Sequence, residues 1–561
     1  MNGARVLAES LKAHGVEKWF GVPGGHEILY LEMDAVGIES YLVRDEKNGA
    51  LMADGYARTT FKPGICTGGQ MTAPHLVTGM TEAHLSSIPV IVITCQHDPA
   101  ILYKNPHGGF VDHVSLFRTC TKWTHMVEKP DRMPEIIDQA FRISTSGRPG
   151  PVAIIVPMNM LSDEVEMRER KRTTYPEFPS LRIGPDPEEI RKAADILMEA
   201  ERPVIVAGGG VLLSQAWKEL LDLAELLQIA VATTLMGKGA VPDSHPLSLG
   251  VVGYLCGGRD GRGSVANKFV KEADSVLLVG TKTDQPSTNN WTIPEQGSRI
   301  VHIDVDPAEI GKNYSTELGI VADAKLALKM LREILHERLN KLTSRRHSER
   351  VAAIQRQMEE WRSRVSLTMN SDAKPIKPQR VLRELQSFVD EETLIVADAG
   401  SVSLLAGNYL DCVIAGRSHI YPRGLTALGS GFPMALGAKV GAPDHRVFSL
   451  HGDGAFGYTI MELETAARHR IAVVSLVLNN KCLLWEKWAT EEVFGKGRYV
   501  ACDFTDVRFD KIAQAAGCFG IRVTEPDGIR DAIRSALDSN RPSVIEVMVD
   551  PGETPSNLIA E

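Results

Sequence analysis

The stretch Gly452-Asp453-Gly454-Ala455-Phe456 decides how this chain folds. It follows Arg446-Val447-Phe448-Ser449-Leu450, a short apolar run typical of a buried parallel strand. Residues 458–470 then show helical periodicity, and residues 471–478 are β-branched and apolar. The segment therefore predicts a strand, a helix that opens near Tyr458 and a second parallel strand.

Asp453 and Asn480 each follow one of these predicted strands. A right-handed crossover brings the carboxyl ends of both strands to one sheet edge, so the two side chains should face one crevice. A carboxylate, an amide oxygen and a backbone carbonyl form an incomplete oxygen shell that suits Mg²⁺, with phosphate oxygens and water completing it. Gly-Asp-Gly alone also suits an ordinary turn, but its spacing to Asn480 favours a metal and diphosphate site.

These motifs resemble those of the thiamine-diphosphate (ThDP) enzymes of the acetolactate synthase, benzoylformate decarboxylase and benzaldehyde lyase group. In that family, a Gly-Asp-Gly motif that ends in Asn-Asn binds Mg²⁺ and the diphosphate of ThDP. The resemblance implies that Asp453, the Asn480 side chain and the Cys482 backbone carbonyl are metal ligands. It also implies that Gly454 and Ala455 contact the cofactor.

The family also uses a carboxylate that binds the aminopyrimidine of ThDP and activates the cofactor. Arg44-Asp45-Glu46 lies between a predicted strand, 41–43, and a predicted helix, 47–58, whose Met-Ala-Asp-Gly-Tyr-Ala-Arg run is similar to the family's. Glu46 matches the catalytic, cofactor-binding glutamate. Many relatives carry His immediately before it, whereas this chain has Asp45, to which no role is transferred. Taken without the family, Glu46 is an acid stabilised at a helix N-terminus.

Two further segments resemble cofactor-binding parts of the family. Leu394 to Asp398, followed by Gly400-Ser401-Val402, is similar to the strand and turn whose backbone N–H groups bind the diphosphate. Gly424 to Gly429 is similar to the loop beneath the thiazolium, and Leu428 would be the bulky residue that bends the cofactor. An ordinary core leucine is the alternative for Leu428.

The substrate side resembles the family less closely. His26 falls where benzaldehyde lyase has an active-site histidine, which implies a catalytic proton shuttle; an exposed loop histidine is the alternative. Acetolactate synthases place a Phe-Gln pair in the next loop, where this chain has Gly108-Gly109-Phe110. Trp485 and Trp488 share a helix face and suit either pocket lining or simple packing. The residues of the second loop expected near the pocket are His107, Phe110, Asp112 and His113.

Length and pattern set the domain organisation. The 561 residues, 43% of them hydrophobic, correspond to three or four domains at about 150 residues each. Alternating strand and helix patterns predict an α/β fold with three doubly wound parallel sheets. The predicted parts are an aminopyrimidine-binding domain (1–165), a central Rossmann-like domain (185–335) and a diphosphate- and Mg-binding domain (370–550), with a linker at 163–185 and a solvated connecting helix within 336–364.

The central domain carries signals of a nucleotide site. Gly208-Gly209-Gly210 and the pair Asp304 and Asp306 at a strand end are compatible with FAD, with ADP or with an empty site. The resemblance implies FAD if the chain is like acetolactate synthases, and ADP if it is like oxalyl-CoA and 2-hydroxyacyl-CoA lyases. Thr281 to Gln285 replaces the Phe-Asp-Asp-Arg segment of the synthase flavin loop, so flavin is not assured.

Composition restricts the partners. A net charge of −9 gives no reason to expect nucleic acid. The absence of an apolar run of about 18 residues and of a signal pattern predicts no membrane partner. Eight cysteines without a Cys-x-x-Cys pair fit reduced thiols and a cytoplasmic location.

The sequence thus predicts a ThDP- and Mg²⁺-dependent C–C bond lyase or carboligase, of the decarboxylase or synthase type, acting on a 2-oxo acid or related small-molecule carbonyl substrate. One alternative is a 2-hydroxyacyl-CoA lyase that gives an aldehyde or ketone plus formyl-CoA. Another is a ThDP-binding homologue without catalytic activity. Because the family combines two subunits in each site, the resemblance implies a homodimer or homotetramer.

Overall fold

The computed structural model describes residues 1–102, 104–166, 173–339 and 345–560. Part of the predicted linker, 167–172, and part of the predicted connecting helix, 340–344, lie outside the described residues. Among the described helices, none combines the length and the apolar character that crossing a bilayer requires.

The first sheet is parallel throughout and has the strand order β2-β1-β3-β4-β6-β5. Its strands are β1 (Lys18–Gly21), β2 (Glu39–Leu42), β3 (Gly64–Gly68), β4 (Val90–Gln96), β5 (Trp123–Met126) and β6 (Val152–Pro157). Its helices are α1 (Gly3–Ala13), α2 (Glu27–Ala35), α3 (Glu46–Thr60), α4 (Ala73–Ser86), α5 (His113–Arg118), α6 (Met133–Thr145) and α7 (Met158–Ser162). Short 3₁₀ turns lie at Pro99–Ile101 and Pro130–Arg132.

The central sheet is also parallel and has the order β12-β11-β10-β7-β8-β9, which is the Rossmann strand order. Its strands are β7 (Pro203–Ala207), β8 (Ala230–Thr233), β9 (Ser248–Val251), β10 (Ser275–Val279), β11 (Arg299–Asp304) and β12 (Leu318–Val321). The helices are α8 (Pro187–Glu199), α9 (Gly209–Leu213), α10 (Trp217–Leu227), α11 (Gly263–Lys271), α12 (Ala324–Leu339) and α13 (Arg345–Met369), with 3₁₀ turns at Leu235–Gly237 and Tyr254–Cys256.

The third sheet repeats the order of the first, as β14-β13-β15-β16-β18-β17. Its strands are β13 (Thr393–Ala397), β14 (His419–Ile420), β15 (Arg446–Gly452), β16 (Val473–Asn479), β17 (Phe519–Val523) and β18 (Ser543–Met548). The helices are α14 (Pro378–Gln386), α15 (Ser401–Tyr409), α16 (Gly431–Gly441), α17 (Asp453–Gly457), α18 (Glu462–Arg468), α19 (Leu484–Phe494), α20 (Phe509–Ala515) and α21 (Gly528–Asp538), with a 3₁₀ turn at Pro555–Asn557. The prediction of three doubly wound parallel sheets is confirmed.

Strand order determines where ligands can enter each sheet. In an open parallel sheet, the crevice lies outside the carboxyl ends of the two strands between which the strand order reverses. In the third sheet these strands are β13, which leads into Gly400, and β15, which ends at Gly452. In the central sheet they are β7 and β10, which lead into Gly208 and Gly280. The Gly-Asp-Gly motif at 452–454 and the glycine motif at 208–210 therefore each lie at a switch point, the place where the strand order of the sheet reverses.

Two local predictions were wrong. The helix predicted for 458–470 is α18, which begins at Glu462 and not near Tyr458, and a separate short helix that was not predicted, α17, begins directly after β15 at Asp453, where a carboxylate is favoured in the first helical turn. The connecting helix is not fully solvated, since α13 buries Ile354, Met358, Trp361 and Val365 along one face. That apolar stripe is narrow, so the overall polarity of the segment concealed it.

The first and third domains pack directly on each other in one chain. The contact is between α3 and α16, where the backbones approach closely: a Cβ on Gly55 would lie 2.1 Å from the Met434 carbonyl oxygen. A Cβ on Gly437 would lie 1.9 Å from the Met52 carbonyl oxygen. These glycines therefore allow the helix that begins at Glu46 to lie against the third domain.

Candidate active site

A cavity of about 320 Å³ opens at the switch point of the third sheet. All the residues that the sequence predicted for the metal and the diphosphate line it, together with Leu428: Gly400, Ser401, Val402, Leu428, Asp453, Gly454, Ala455, Asn480 and Cys482. They come from four separate segments, which the strand order brings to one sheet edge. Trp485 on α19 also lines the cavity, with its ring 5.6 Å from that of Trp488.

Asp453 is the most distinctive group in this cavity. Its side chain is buried, and the Gly454 N–H donates to its Oδ1 at 2.8 Å. Its other oxygen, Oδ2, is buried without a hydrogen-bond partner within the described part of the chain. Burial raises the pKa of Asp453 to about 6. A buried carboxylate oxygen without a partner is costly, and a divalent cation is the ligand that would satisfy it.

The turn after β16 brings two further oxygen donors beside Asp453. Lys481 has a φ of 63°, so the chain reverses tightly between Asn480 and Cys482. The Cys482 N–H donates to Asn480 Oδ1 at 3.1 Å, which fixes the orientation of the amide. Carboxylate, amide and carbonyl oxygens suit Mg²⁺, so the residues present fit the predicted ion.

The opposite wall of the cavity offers backbone N–H groups. Gly400 has a φ of 97°, a conformation that glycine adopts readily, and α15 begins at the next residue, Ser401. The first N–H groups of a helix have no partner within the helix and bind phosphate oxygens well. Ser401 and Val402 line the cavity at this end, so the arrangement fits a diphosphate.

Two buried carboxylates hold the loop that carries Leu428, and no local feature of the sequence predicted either role. Glu82 on α4 accepts hydrogen bonds from the N–H groups of Gly424, Leu425 and Thr426 at 3.0, 2.7 and 3.3 Å. Asp398 accepts from the Gly429 N–H at 3.2 Å and contacts His451 at 3.0 Å. The loop is therefore tied to the first domain at one end and to its own sheet at the other.

Glu46 lies outside this cavity. It begins α3, is only 4% exposed, and follows Asp45, whose side chain caps the helix. Glu462 of the third domain accepts from the Arg44 N–H at 2.9 Å and from Asn48 Nδ2 at 2.7 Å, on either side of Glu46. His75 Nδ1 lies 3.4 Å from Glu46 Oε2. Glu46 is thus held firmly at a helix N-terminus beside an imidazole.

His26 is buried rather than exposed, so the alternative of an exposed loop histidine was wrong. Its Nδ1 pairs with the Gly24 carbonyl at 2.8 Å and its Nε2 with the Tyr30 hydroxyl. Burial lowers the pKa of His26, so the ring is neutral at pH 7. A Cβ on Gly69 would lie 2.4 Å from the Gly24 carbonyl oxygen, so this loop packs against the loop that follows β3.

The second loop predicted to lie near the substrate, residues 107–113, lies beside the loop that follows β3. His113 Nε2 pairs with the Gln70 carbonyl at 3.0 Å, and its Nδ1 with Thr94 Oγ1 at 3.1 Å. Asp112 caps α5, accepting from the Val114 N–H at 3.0 Å. The end of β3 lies close to Glu46, whose Cγ would be 3.5 Å from a Cβ added to Gly68. Glu46, His26 and His113 therefore surround one segment of the first domain.

The central domain has a separate cavity of about 160 Å³ at its own switch point. Gly209, Gly210 and Asp304 line it, whereas Gly208 and Asp306, which the sequence also linked to this site, do not. Burial raises the pKa of Asp304 to about 6. Asp306 forms an ion pair with Arg148 at 3.2 Å.

Family models match each of the three domains. The N-terminal TPP binding domain of thiamine pyrophosphate enzymes matches residues 1–116, the central domain of these enzymes matches 190–331, and their C-terminal TPP binding domain matches 398–547. Each match contains one of the three sheets or most of it.

Curated relatives resemble the whole chain. A probable acetolactate synthase large subunit of Methanocaldococcus jannaschii is 35% identical, over 99% of this chain and 93% of its own length. One of Methanococcus aeolicus is 35% identical, over 98% and 92%. The acetolactate synthase isozyme 3 large subunit of Escherichia coli is 30% identical, over 99% and 96%. With its three matching domains and full-length relatives, this chain belongs to the thiamine-diphosphate enzymes, in the acetolactate synthase group.

Proposed function

We propose that this enzyme uses ThDP and Mg²⁺ to break and form C–C bonds next to a carbonyl group, as a carboligase or decarboxylase acting on a 2-oxo acid. The observation that carries the proposal is the buried Asp453 oxygen, which has no hydrogen-bond partner among the described residues, in a cavity that contains the whole predicted ligand set. The names of the relatives, acetolactate synthase large subunits, support the synthase direction.

Separate groups of residues would bind the metal, the diphosphate, the thiazolium and the pyrimidine. Asp453, the Asn480 side chain and the Cys482 carbonyl would hold Mg²⁺, while Gly400, Ser401, Val402, Gly454 and Ala455 would bind the diphosphate and Leu428 would support the thiazolium. When bound, ThDP supplies a nucleophilic carbon that adds to a carbonyl and an electron sink for the bond that breaks. Glu46 would accept the pyrimidine hydrogen bond, and its burial keeps water away from that contact.

His26 would move a proton at the substrate oxygen. Because its Nδ1 pairs with the Gly24 carbonyl and its Nε2 with the Tyr30 hydroxyl, the proton would pass through Tyr30, whose hydroxyl also lies 3.2 Å from Thr67 Oγ1. This chain of groups lies on the same side of the first domain as Glu46. We therefore place the substrate between the segment that carries Glu46 and the cavity that contains Asp453, which would bind ThDP.

The assembly would contain at least two copies of the chain. Glu46 does not line the cavity that contains Asp453, so the family's pairing of the two halves across subunits fits this chain. We infer a homodimer or homotetramer. Light scattering tests this directly, and because the relatives are named large subunits, it also shows whether the chain assembles without a further subunit.

The central cavity would bind a nucleotide, FAD or ADP. Asp304 stands at the end of β11, where an acid can accept from ribose hydroxyls, and the Gly209-Gly210 turn opens α9. Denaturing mass spectrometry of the purified protein distinguishes FAD, ADP and no nucleotide.

The reaction is tested with ThDP- and Mg²⁺-loaded protein on a panel of donors. CO₂ release from pyruvate or benzoylformate, with or without a carboligation product, is expected, and protein stripped of metal by a chelator is the control. Formyl-CoA from a 2-hydroxyacyl-CoA would instead indicate the lyase. If loaded protein turns over no donor at all, the chain is a ThDP-binding homologue without this activity.

Glu82→Gln should weaken cofactor binding without unfolding the protein. The amide NH₂ cannot accept the backbone N–H groups of residues 424–426, so the loop that carries Leu428 loses its anchor. Each lost hydrogen bond to a buried carboxylate costs about 1–3 kcal/mol. We expect ThDP affinity to fall about tenfold by calorimetry, with Glu392→Gln, an exposed glutamate, as the control. Unchanged ThDP affinity in Glu82→Gln would show that the loop does not support the cofactor.

A further inference from the structure

Two neighbouring helices of the first domain begin close together, and three side chains that can bind a metal meet between them. Asp45 caps α3, Glu46 is the first residue of that helix, and His75 lies in the first turn of α4. One potential ligand atom of each residue lies within 4.8 Å of the other two. In the described parts of the chain, this Asp45-Glu46-His75 cluster is the only such group of three His, Cys, Asp or Glu residues.

The spacing of the cluster fits a shared metal ion better than direct hydrogen bonds. His75 Nδ1 lies 3.4 Å from Glu46 Oε2 and 3.7 Å from Asp45 Oδ1. A charge-assisted hydrogen bond between an imidazolium and a carboxylate is about 2.7–2.9 Å long. By contrast, nitrogen and oxygen ligands that each lie about 2.1 Å from a tetrahedral Zn²⁺ are about 3.4 Å from each other. The three side chains therefore stand close to the separations that a bound ion imposes.

Glu46 is the member of the cluster that most needs a partner. Its side chain is buried, and its carboxylate forms no hydrogen bond with any described residue. A buried carboxylate without a hydrogen bond is costly, and a bound cation offsets that cost. The side chain of His75 is 57% exposed and that of Asp45 is 41% exposed, so an ion can reach Glu46 from solvent through these two residues.

The charges around the cluster also favour a cation. A further buried carboxylate, that of Glu462, lies beside the two acids and accepts from the Arg44 N–H at 2.9 Å. The two neighbouring basic side chains have other partners, since Arg44 pairs with Glu464 at 3.8 Å and Lys47 Nζ lies 5.9 Å from the centre of the Tyr458 ring. The helix N-termini stabilise the ionised form of the acids beside them, which is the form that binds metal.

The donor set selects the class of metal. An imidazole nitrogen with two carboxylate oxygens suits Zn²⁺ and similar ions of borderline softness. Mg²⁺ prefers an octahedral shell of oxygens, which the cavity that contains Asp453 offers instead. Three protein ligands leave the fourth tetrahedral position of Zn²⁺ open for water.

We propose that Asp45, Glu46 and His75 bind Zn²⁺, and that the bound ion withdraws Glu46 from the cofactor. A carboxylate whose charge is neutralised by a metal cannot hold the aminopyrimidine in its reactive tautomer, so Zn²⁺ at this site would inhibit the enzyme. The metal site stands on its own geometry, whereas its inhibitory effect rests on the proposed function, because it assumes that Glu46 activates ThDP.

Zn²⁺ binding to the cofactor-free protein tests the site without turnover. In calorimetry with excess Mg²⁺, wild type should bind one Zn²⁺ per chain. In His75→Asn the affinity should fall at least about 100-fold, because loss of even an outer partner of a metal ligand costs about 10- to 100-fold. Asp45→Asn keeps the helix cap and an amide oxygen, so we expect a smaller loss of about tenfold. The matched control, His336→Asn, removes an exposed histidine of α12 and should bind Zn²⁺ normally.

Three results of this titration would overturn the proposal. If wild type binds no Zn²⁺, the three side chains form only an ion-paired cluster. If wild type and His75→Asn bind it equally, the ion lies elsewhere. If binding is lost in Asp453→Asn but not in His75→Asn, Zn²⁺ occupies the Mg²⁺ site. Circular dichroism of each variant confirms that it is folded.

Exchange of the C2 proton of bound ThDP tests the effect on Glu46. Saturating Zn²⁺ should slow this exchange in the ThDP- and Mg²⁺-loaded wild type by at least about 100-fold, the lower end of the range for loss of one general acid or base. His75→Asn should keep its own zinc-free rate at the same Zn²⁺ concentration. Unchanged exchange in wild type with the site filled would overturn the competition for Glu46. If loaded protein turns over no donor, the proposed function fails, whereas Zn²⁺ binding to the cofactor-free protein still decides the metal site.

Discussion

Glu46→Gln is expected to lower turnover by about 100- to 10,000-fold, the range associated with loss of one general acid or base. Glutamine keeps the shape of the side chain but loses the negative charge that would hold the aminopyrimidine in its reactive tautomer. The residues proposed to hold the metal and the diphosphate line a cavity that Glu46 does not line, and they are unchanged in this variant, so ThDP should still bind. Calorimetry measures the binding, and NMR measures exchange of the thiazolium C2 proton, which should slow by a similar factor.

Asp45→Asn is the matched control for Glu46→Gln. Asparagine caps a helix about as well as aspartate, so α3 should keep its start and the variant should stay folded. Both carboxylates lie near His75, at 3.7 Å for Asp45 and 3.4 Å for Glu46, so a general effect of charge near this imidazole would appear in both variants. Normal exchange of the C2 proton in Glu46→Gln would show that Glu46 does not activate the cofactor. So would an equal slowing of that exchange in Asp45→Asn.

The sequence predicts that Asp453 and Asn480 come together at one cavity because the information is local. Asp453 and Asn480 follow apolar runs that can only be buried strands, and parallel strand ends meet at one edge. The short helix α17 was not predicted because periodicity marks where a helix is regular, and a single turn that buries Ala455 and Phe456 is too short to register.

Residues that act through long-range contacts could not be predicted in the same way. Glu82 lies in α4 and holds a loop more than 300 positions away, and nothing around it in the chain marks that contact. His26 looked exposed because its loop is rich in glycine, yet Tyr30 and the Gly24 carbonyl enclose it.

Asp453→Asn is expected to abolish Mg²⁺-dependent cofactor binding. Removing even an outer partner of a metal ligand costs about 10- to 100-fold in affinity. Loss of the charged ligand itself should therefore weaken Mg²⁺-ThDP binding by at least about 100-fold by calorimetry. Asp444→Asn, an exposed carboxylate just before β15 rather than at its end, should bind normally.

The pKa of Asp453 gives this prediction a second readout. A metal ligand must be deprotonated, and burial raises the pKa of Asp453 to about 6. Below about pH 6, Mg²⁺-ThDP affinity of wild type should fall about tenfold for each pH unit, whereas above it the affinity should level off. The residual Mg²⁺-ThDP binding of Asp453→Asn should not show this fall in affinity at low pH. A fall that persists in the variant would mean that another group titrates.

Stability of the metal-free protein separates a lost ligand from a damaged fold. Because the folded pKa of Asp453 lies above the usual aspartate value of 3.8, the unfolded chain releases its proton first as pH rises, and apo stability falls between about pH 4 and 6. Asparagine carries no charge there, so apo Asp453→Asn should unfold at or above the wild-type temperature at pH 7, even though it no longer binds the cofactor. A large drop in that temperature would mean that the carboxylate supports the fold and that the loss of binding is secondary.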